Sequence, residues 1–223
     1  MNDAIRFPGI RAVAFDFDGT LFDASDAICH SLNVALTHHG REPLPRAEIL
    51  PRIGRPLYEI FQALEPGAAP EKIQSYIDAY RGAFGPVAVS HTRPLPGLRE
   101  CLDGLRGHVG LAIATNRSER GARQILDGFG FNGFFTVIVA LEHVKRVKPD
   151  PEAVLKACAG LGVKPEHMLM VGDTPDDQLA GRAAGAQAIG VTTGAYSREH
   201  LEEAGANAVV DSLQELPALL GLV

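Results

Sequence analysis

Apolar residues recur along this chain in two distinct patterns. Five short runs, at residues 11–15, 109–114, 134–140, 168–171 and 187–191, are largely apolar and rich in β-formers. Near-continuous apolar runs of that length read as strands buried on both faces. Segments 118–129, 151–161 and 175–184 instead repeat apolar residues at helical spacing. Their ends carry local signals. Ser118 can cap a helix that stops at Gly128 or Gly130, and Pro151 and Pro175 sit where a first helical turn accepts proline. Strands alternating with helices predict an α/β fold, a parallel sheet with helices on both faces.

The interval between the first two strands breaks this rhythm. About ninety residues separate Phe15 from Val109, and segments 25–39, 46–53, 57–63 and 71–84 within it read as helix. A crossover needs far fewer residues. The expectation is a core of residues 1–20 and 94–223 with a helical insert of residues 21–93. Its hinges fall at 21–23 and 90–96, the latter punctuated by Pro94 and Pro96. No internal repeat or low-complexity segment is visible.

Composition narrows the partners. The 223 residues are 46% hydrophobic and 22% charged, with no Trp, so a core of Ala, Val, Leu and Ile is expected. A formal net charge of −6 argues against nucleic acid or an anionic membrane as the main partner. It leaves room for a small anionic substrate, because a bound cation can reverse the field inside one pocket. Cys29, Cys101 and Cys158 form no C-x-x-C pair and are odd in number, which reads as free thiols in a reducing compartment rather than a catalytic thiol. Residues 1–9 lack a basic region followed by an apolar run, and no stretch approaches the ~18 apolar residues of a membrane span. The cytoplasm is the expected location, with a monomer or homodimer as the expected state.

Open parallel sheets bind ligands beyond the carboxyl ends of their strands, so the residues following each run sample the site. Asp16-Phe17-Asp18-Gly19-Thr20 follows the first, Thr115-Asn116 the second, Lys148-Pro149 the third by a longer loop, and Gly172-Asp173-Thr174-Pro175-Asp176-Asp177 the fourth. Crowded carboxylates need a divalent cation or a proton to compensate them, and oxygen ligands without nearby His or Cys suit Mg²⁺. A carboxylate such as Asp16 is a competent nucleophile toward phosphorus. Asp18, two residues on, is close enough to protonate a leaving oxygen and later deprotonate a water. Gly19 permits the tight backbone path between them. Lys148 and Thr115 are suited to an anionic phosphoryl group.

These four motifs, in this order, resemble the haloacid dehalogenase superfamily, and within it the phosphoglycolate phosphatase-like members with a helical cap. The resemblance extends to residues 190–194 and to the tail between Ala204 and Asp211. It implies a Rossmann-like core with an inserted α-helical cap domain and a Mg²⁺-dependent phosphatase acting on a small phosphorylated metabolite. It makes Asp16 the nucleophile and a metal ligand, and Asp18 the acid/base with its backbone carbonyl also on Mg²⁺. Asp173 would complete the protein ligands, Thr115, Asn116 and Lys148 would hold the phosphoryl group, and Asp177 would orient water or Lys148. Asp18 distinguishes the chain from the dehalogenases, which lack that second acid. Lys72, the insert's only lysine, is not placed like the Schiff-base lysine of phosphonate hydrolases.

Other features carry less. Gly128-Phe129-Gly130-Phe131-Asn132-Gly133 fits a dinucleotide fingerprint but follows a helix and precedes a strand, the reverse of the required context. It reads as a helix end. His30, His38 and His39 lack metal-binding partners, and Asp176 reads as a helix N-terminal acid. Arg52 and Arg55 flank Gly54 in a segment resembling the family's specificity loop, where an arginine, Arg55 in particular, can clamp a second anionic group. His91 at the exit hinge is a further candidate near the pocket. The expected substrate is phosphoglycolate or a sugar phosphate. The alternatives are a β-phosphoglucomutase-like mutase, an inorganic pyrophosphatase, and a non-catalytic phosphate-binding regulator, separable by phosphate release over a substrate panel.

Overall fold

The computed structural model describes residues 7–222. The reading of an absent leader concerned residues 1–9, of which 1–6 lie outside the described residues, as does Val223 at the far end of the expected core. In chain order the elements are β1 (Ala12–Phe15), β2 (Phe22–Asp23), α1 (Ser25–His38), α2 (Arg46–Ile49), α3 (Leu57–Leu64), α4 (Pro70–Val87), β3 (Arg93–Pro94), α5 (Leu98–Leu105) and β4 (Gly110–Ala114). They continue as α6 (Glu119–Phe129), β5 (Val137–Val139), α7 (Glu152–Leu161), β6 (Met168–Gly172), α8 (Pro175–Ala183), β7 (Gln187–Val191), α9 (Arg198–Glu203), β8 (Ala208–Val210) and α10 (Leu216–Leu219).

A parallel sheet of order β5-β4-β1-β6-β7-β8 forms the centre. Alternation along β1 divides the core between its two faces. Ala12 and Ala14 join Ala153, Val154 and Ala157 of α7 and Ala180 of α8, small residues that let those helices lie close. Val13 and Phe15 face the opposite layer, with Leu98 and Leu102 of α5 and Ile125 of α6. Because β4 and β6 flank β1, the strand order reverses there, and a crevice opens at the carboxyl end of β1.

The α/β expectation holds, with six strands in the sheet rather than five. The sixth, β8, is only Ala208–Val210, too short to give a periodic signal. Helix α5 lies where the sequence shows a helix-like apolar pattern around Cys101, but its bounds are not legible there, because eight residues interrupted by Gly104 give a weak pattern before packing selects their apolar face. Helix α2 stops at Ile49 and continues as a 3-10 turn over Leu50–Arg52, since Pro51 lacks the donor needed to prolong an α-helix. Ser118 Oγ does accept from Gly121 N, and Gly130 closes α6 with φ +73°.

Helices α1 to α4 form the helical insert. Helix α1 packs along α4, and Leu32, Leu36, Phe61 and Tyr76 are buried between the helices. The buried Tyr76 donates its hydroxyl to Glu65 Oε2 at 2.6 Å. The chain leaves and re-enters the core side by side, where β2 and β3 pair antiparallel, Phe22 opposite Pro94 and Asp23 opposite Arg93. Among the described residues no helix is long and apolar enough to cross a membrane.

Candidate active site

The crevice gathers groups that lie far apart in sequence. Asp16 follows β1, with its amide donating to Val171 O of β6 at 2.8 Å. Lys148 reaches in from the loop after β5 and donates to Asp16 Oδ1 at 2.6 Å, Asp177 Oδ1 at 2.5 Å and Ala114 O at 2.9 Å. All three ammonium protons are therefore used. Burial opposes that positive charge, but the two carboxylates outweigh it and raise the lysine's pKa. Thr115 is buried at the end of β4, its Oγ1 accepting from Arg117 N at 3.2 Å.

Asp173 and Asp177 stand on the other side, at the end of β6 and in the first turn of α8. Thr20 Oγ1 donates to Asp173 Oδ1 at 2.7 Å. Asp177 Oδ2 receives Thr174 N at 3.1 Å and Thr174 Oγ1 at 2.7 Å, closing a reciprocal cap on α8. Gly19 is obligatory in this geometry. Its φ is +83°, and a Cβ there would lie 2.3 Å from Asp173 Oδ2. Thr193 Oγ1 donates to Gly19 O at 2.6 Å and pins the turn.

The donor set fits a hard divalent cation. Asp16, Asp173 and Asp177 each offer an oxygen within 4.8 Å of the others. With Asp18 they make four carboxylates against two cations, Lys148 and Arg117, a surplus of two negative charges. Burial raises the pKa of Asp16, reinforced by Asp177 and opposed by Lys148. Burial together with the charges on Asp16 and Asp177 holds Asp173 well above the ordinary carboxylate range. A divalent cation would relieve both.

Between crevice and insert lies a cavity of about 400 Å³. Asp16, Asp18, Thr115 and Asn116 line its core side, and Ile60, Ile77, Tyr80 and Phe84 its insert side. Arg55 is on its wall. Arg52 turns back to bond Glu48 O. Both polar ends of the Asn116 side chain meet protein: Nδ2 donates to Gly54 O at 3.0 Å and Oδ1 accepts from Lys148 N at 3.3 Å. His91 lies between α4 and β3, beside the His30 ring and Ser90 Oγ. Among the described residues the only His, Cys or carboxylate cluster able to hold a metal is the acidic one.

Sequence reading passed over two residues of this site. Arg117 grips Asp18 through Nε to Oδ2 at 2.8 Å and Nη2 to Oδ1 at 2.6 Å, in a pair whose side chains are 9% and 10% exposed. It directly follows Thr115-Asn116, so the strand-end rule that singled out its neighbours extended to it. Thr20 orients Asp173 across 153 residues of chain, which no local pattern announces.

The protein is a doubly wound α/β protein with a buried acidic cluster at the switch point of its sheet and a helical insert lining the cavity beside it. The family model for haloacid dehalogenase-like hydrolases matches residues 13–191, and the chain belongs to that family. It is 32% identical over 213 residues to a pyrophosphatase PpaX of Anoxybacillus flavithermus, covering 96% of this chain and 98% of that one. It is 30% identical over 223 residues to a phosphoglycolate phosphatase of Nitrosospira multiformis, covering 97% and 98%. A crystal structure of a subfamily IA hydrolase from Geobacter sulfurreducens superposes with a TM-score of 0.72 at 27% identity, covering 96% and 97%. The chain is thus a phosphatase of this family, similar to the phosphoglycolate phosphatases.

Proposed function

We propose that the protein hydrolyses a small organic phosphomonoester, of the phosphoglycolate or sugar-phosphate type, through an aspartyl-phosphate on Asp16 with Mg²⁺ as cofactor. The observation that carries this reading is the buried Lys148, which ties Asp16, a residue of the cavity lining, to Asp177 beside Asp173. Asp16, the backbone carbonyl of Asp18 and Asp173 would hold Mg²⁺, which supplies charge neutralisation where two anions must meet. Lys148 fixes one Asp16 oxygen, and the carboxylate attacks phosphorus with its other oxygen. The bond to the ester oxygen breaks as Asp18 gives that oxygen a proton. Asp18 then takes a proton from water, water attacks phosphorus, and the Asp16 carboxylate and inorganic phosphate are regenerated. Thr115 steadies the phosphoryl oxygens, and residues 21–93 act as a cap that keeps bulk water out until the intermediate forms. Three unpaired cysteines support a reducing, cytoplasmic setting.

A second reading, pyrophosphate as substrate, is favoured by the pyrophosphatase names among the relatives. Phosphate release with Mg²⁺ over 2-phosphoglycolate, pyrophosphate and sugar phosphates separates the two. Asp16→Asn should lower turnover of the best substrate more than about a thousandfold while the fold survives. No Mg²⁺-dependent release from any phosphate compound, or a smaller loss in the variant, would remove Asp16 as nucleophile.

A further inference from the structure

The cavity beside Asp16 joins exposed charges to a buried apolar wall. Its volume of about 400 Å³ lies within the ~300–1,000 Å³ typical of pockets for ligands far larger than a two-carbon acid. Arg55, Arg81, Arg120 and Glu142 of its lining are exposed. The buried cations Lys148 and Arg117 already face carboxylates. The buried part of the insert side consists of Ile60, Ile77, Tyr80 and Phe84, with half-buried Leu57 beside them. Phe84 holds the Arg117 guanidinium carbon 4.8 Å from its ring centre, so this wall is continuous with the crevice.

Tyr80 of α4 adds one polar group to that wall. Its side chain stacks on Phe84, ring centres 5.8 Å apart and planes 14° apart, and the residue is 7% exposed. Its hydroxyl has no hydrogen-bond partner among the described residues, a costly state for a buried donor unless something in the cavity accepts from it. We propose that this wall receives the alcohol part of the substrate: an apolar body larger than the two carbons of phosphoglycolate, carrying one acceptor for the Tyr80 hydroxyl. The inference rests on the phosphatase reading and deepens it by naming the leaving group. A short, wholly polar alcohol would leave the wall against water. An apolar one removes both surfaces from water, and that binding energy, gained away from the reacting bond, serves turnover.

The n-alkyl phosphates from ethyl to hexyl test the apolar body on the native protein with Mg²⁺. Their kcat/KM should rise by about fourfold for each methylene that leaves water, and by at least about thirtyfold from ethyl to hexyl. A flat or falling series overturns the proposal. In Leu57→Ser the hexyl-to-ethyl ratio should fall at least about threefold, and an unchanged ratio overturns the placement of the chain on this wall. If that variant fails to fold, Tyr58→Ser, at an exposed position of the same lining, takes its place. For Tyr80 the comparison is between hexyl phosphate and its isomers with a single hydroxyl at carbons 2 to 6. One isomer should match hexyl phosphate despite the added polar group, and Tyr80→Phe should cost that isomer alone about two- to twelvefold in kcat/KM. Equal losses for both, or no isomer that matches, overturn the role of Tyr80. Calorimetry with n-alkylphosphonates and Mg²⁺ keeps the two readings apart, because it needs no turnover. Hexylphosphonate should bind at least about tenfold more tightly than ethylphosphonate. That preference without hydrolysis of any ester sinks the phosphatase reading alone. Hydrolysis with a flat series sinks the apolar leaving group alone.

Discussion

At the scale of single residues the acidic cluster sets its own pH dependence. Burial, reinforced by neighbouring negative charge, raises the pKa of Asp16 and Asp173. The native state therefore holds more protons than the unfolded chain once pH passes the ordinary carboxylate value of about 4. These two groups then cost stability as pH rises through their folded-state values, the reverse of an aspartate whose pKa folding lowers. Mg²⁺ should accordingly raise Tm more at about pH 7.5 than at about pH 5. Equal increments at both pH values would show that the cation does not bind these carboxylates. Gly19 offers a steric counterpart. Gly19→Ala places a methyl against Asp173 in a backbone region that disfavours it, at a cost of about 1–3 kcal/mol. The Mg²⁺ concentration needed for half-maximal activity should rise together with the fall in Tm.

Residues became legible in proportion to how locally their role was written. Asp16, Asp18, Lys148 and Asp173 each follow a strand signal, and the structure brings all four to one crevice. Thr20 acts through a partner 153 residues away, so its importance emerges only when the sheet closes. Arg117, in contrast, follows a strand-end motif directly, and only its partner, 99 residues away, was hidden. Asn116 is intermediate: its position was readable, but not that both ends of its side chain are taken by Gly54 and Lys148.

Among elements, length and amphipathic contrast decided what could be read. Strands β1, β4, β6 and β7 are four or five residues long and wholly or largely buried, and their apolar runs stood out. Strand β8 borrows its identity from pairing with β7, and α5 from packing beneath the sheet. The buried face of α5 is nonetheless structural. Leu102 is fully buried, and Leu102→Ala should cost about 2–5 kcal/mol. Chemical denaturation should show that loss while kcat of the surviving folded protein stays near wild type. A proportional fall in kcat would mean that α5 transmits strain to the crevice.

For the molecule as a whole, the long interval between the first two strands announced an insert but not where it would rest. That depends on tertiary contacts such as the Asn116 amide on Gly54 O, which ties the end of β4 to the insert across 62 residues. Asn116 also accepts from the backbone of Lys148, so one side chain links insert position to the placement of the lysine that holds Asp16. Loss of that link should therefore be felt twice. In Asn116→Ala the amides of residues 54–64 should exchange with solvent faster, and KM should rise as the cavity wall loosens. A hydrogen bond of this kind contributes about 0.5–1.5 kcal/mol, so exchange at those amides should accelerate by about two- to twelvefold if they open through this motion. Gln124 Nε2 on Gly85 O at 2.6 Å is a second tie between core and insert and an internal control. Gln124→Ala should loosen the insert in the same exchange measurement but leave kcat closer to wild type, because Gln124 makes no bond to Lys148. Equal kcat losses in the two variants would place the effect in the insert's position alone.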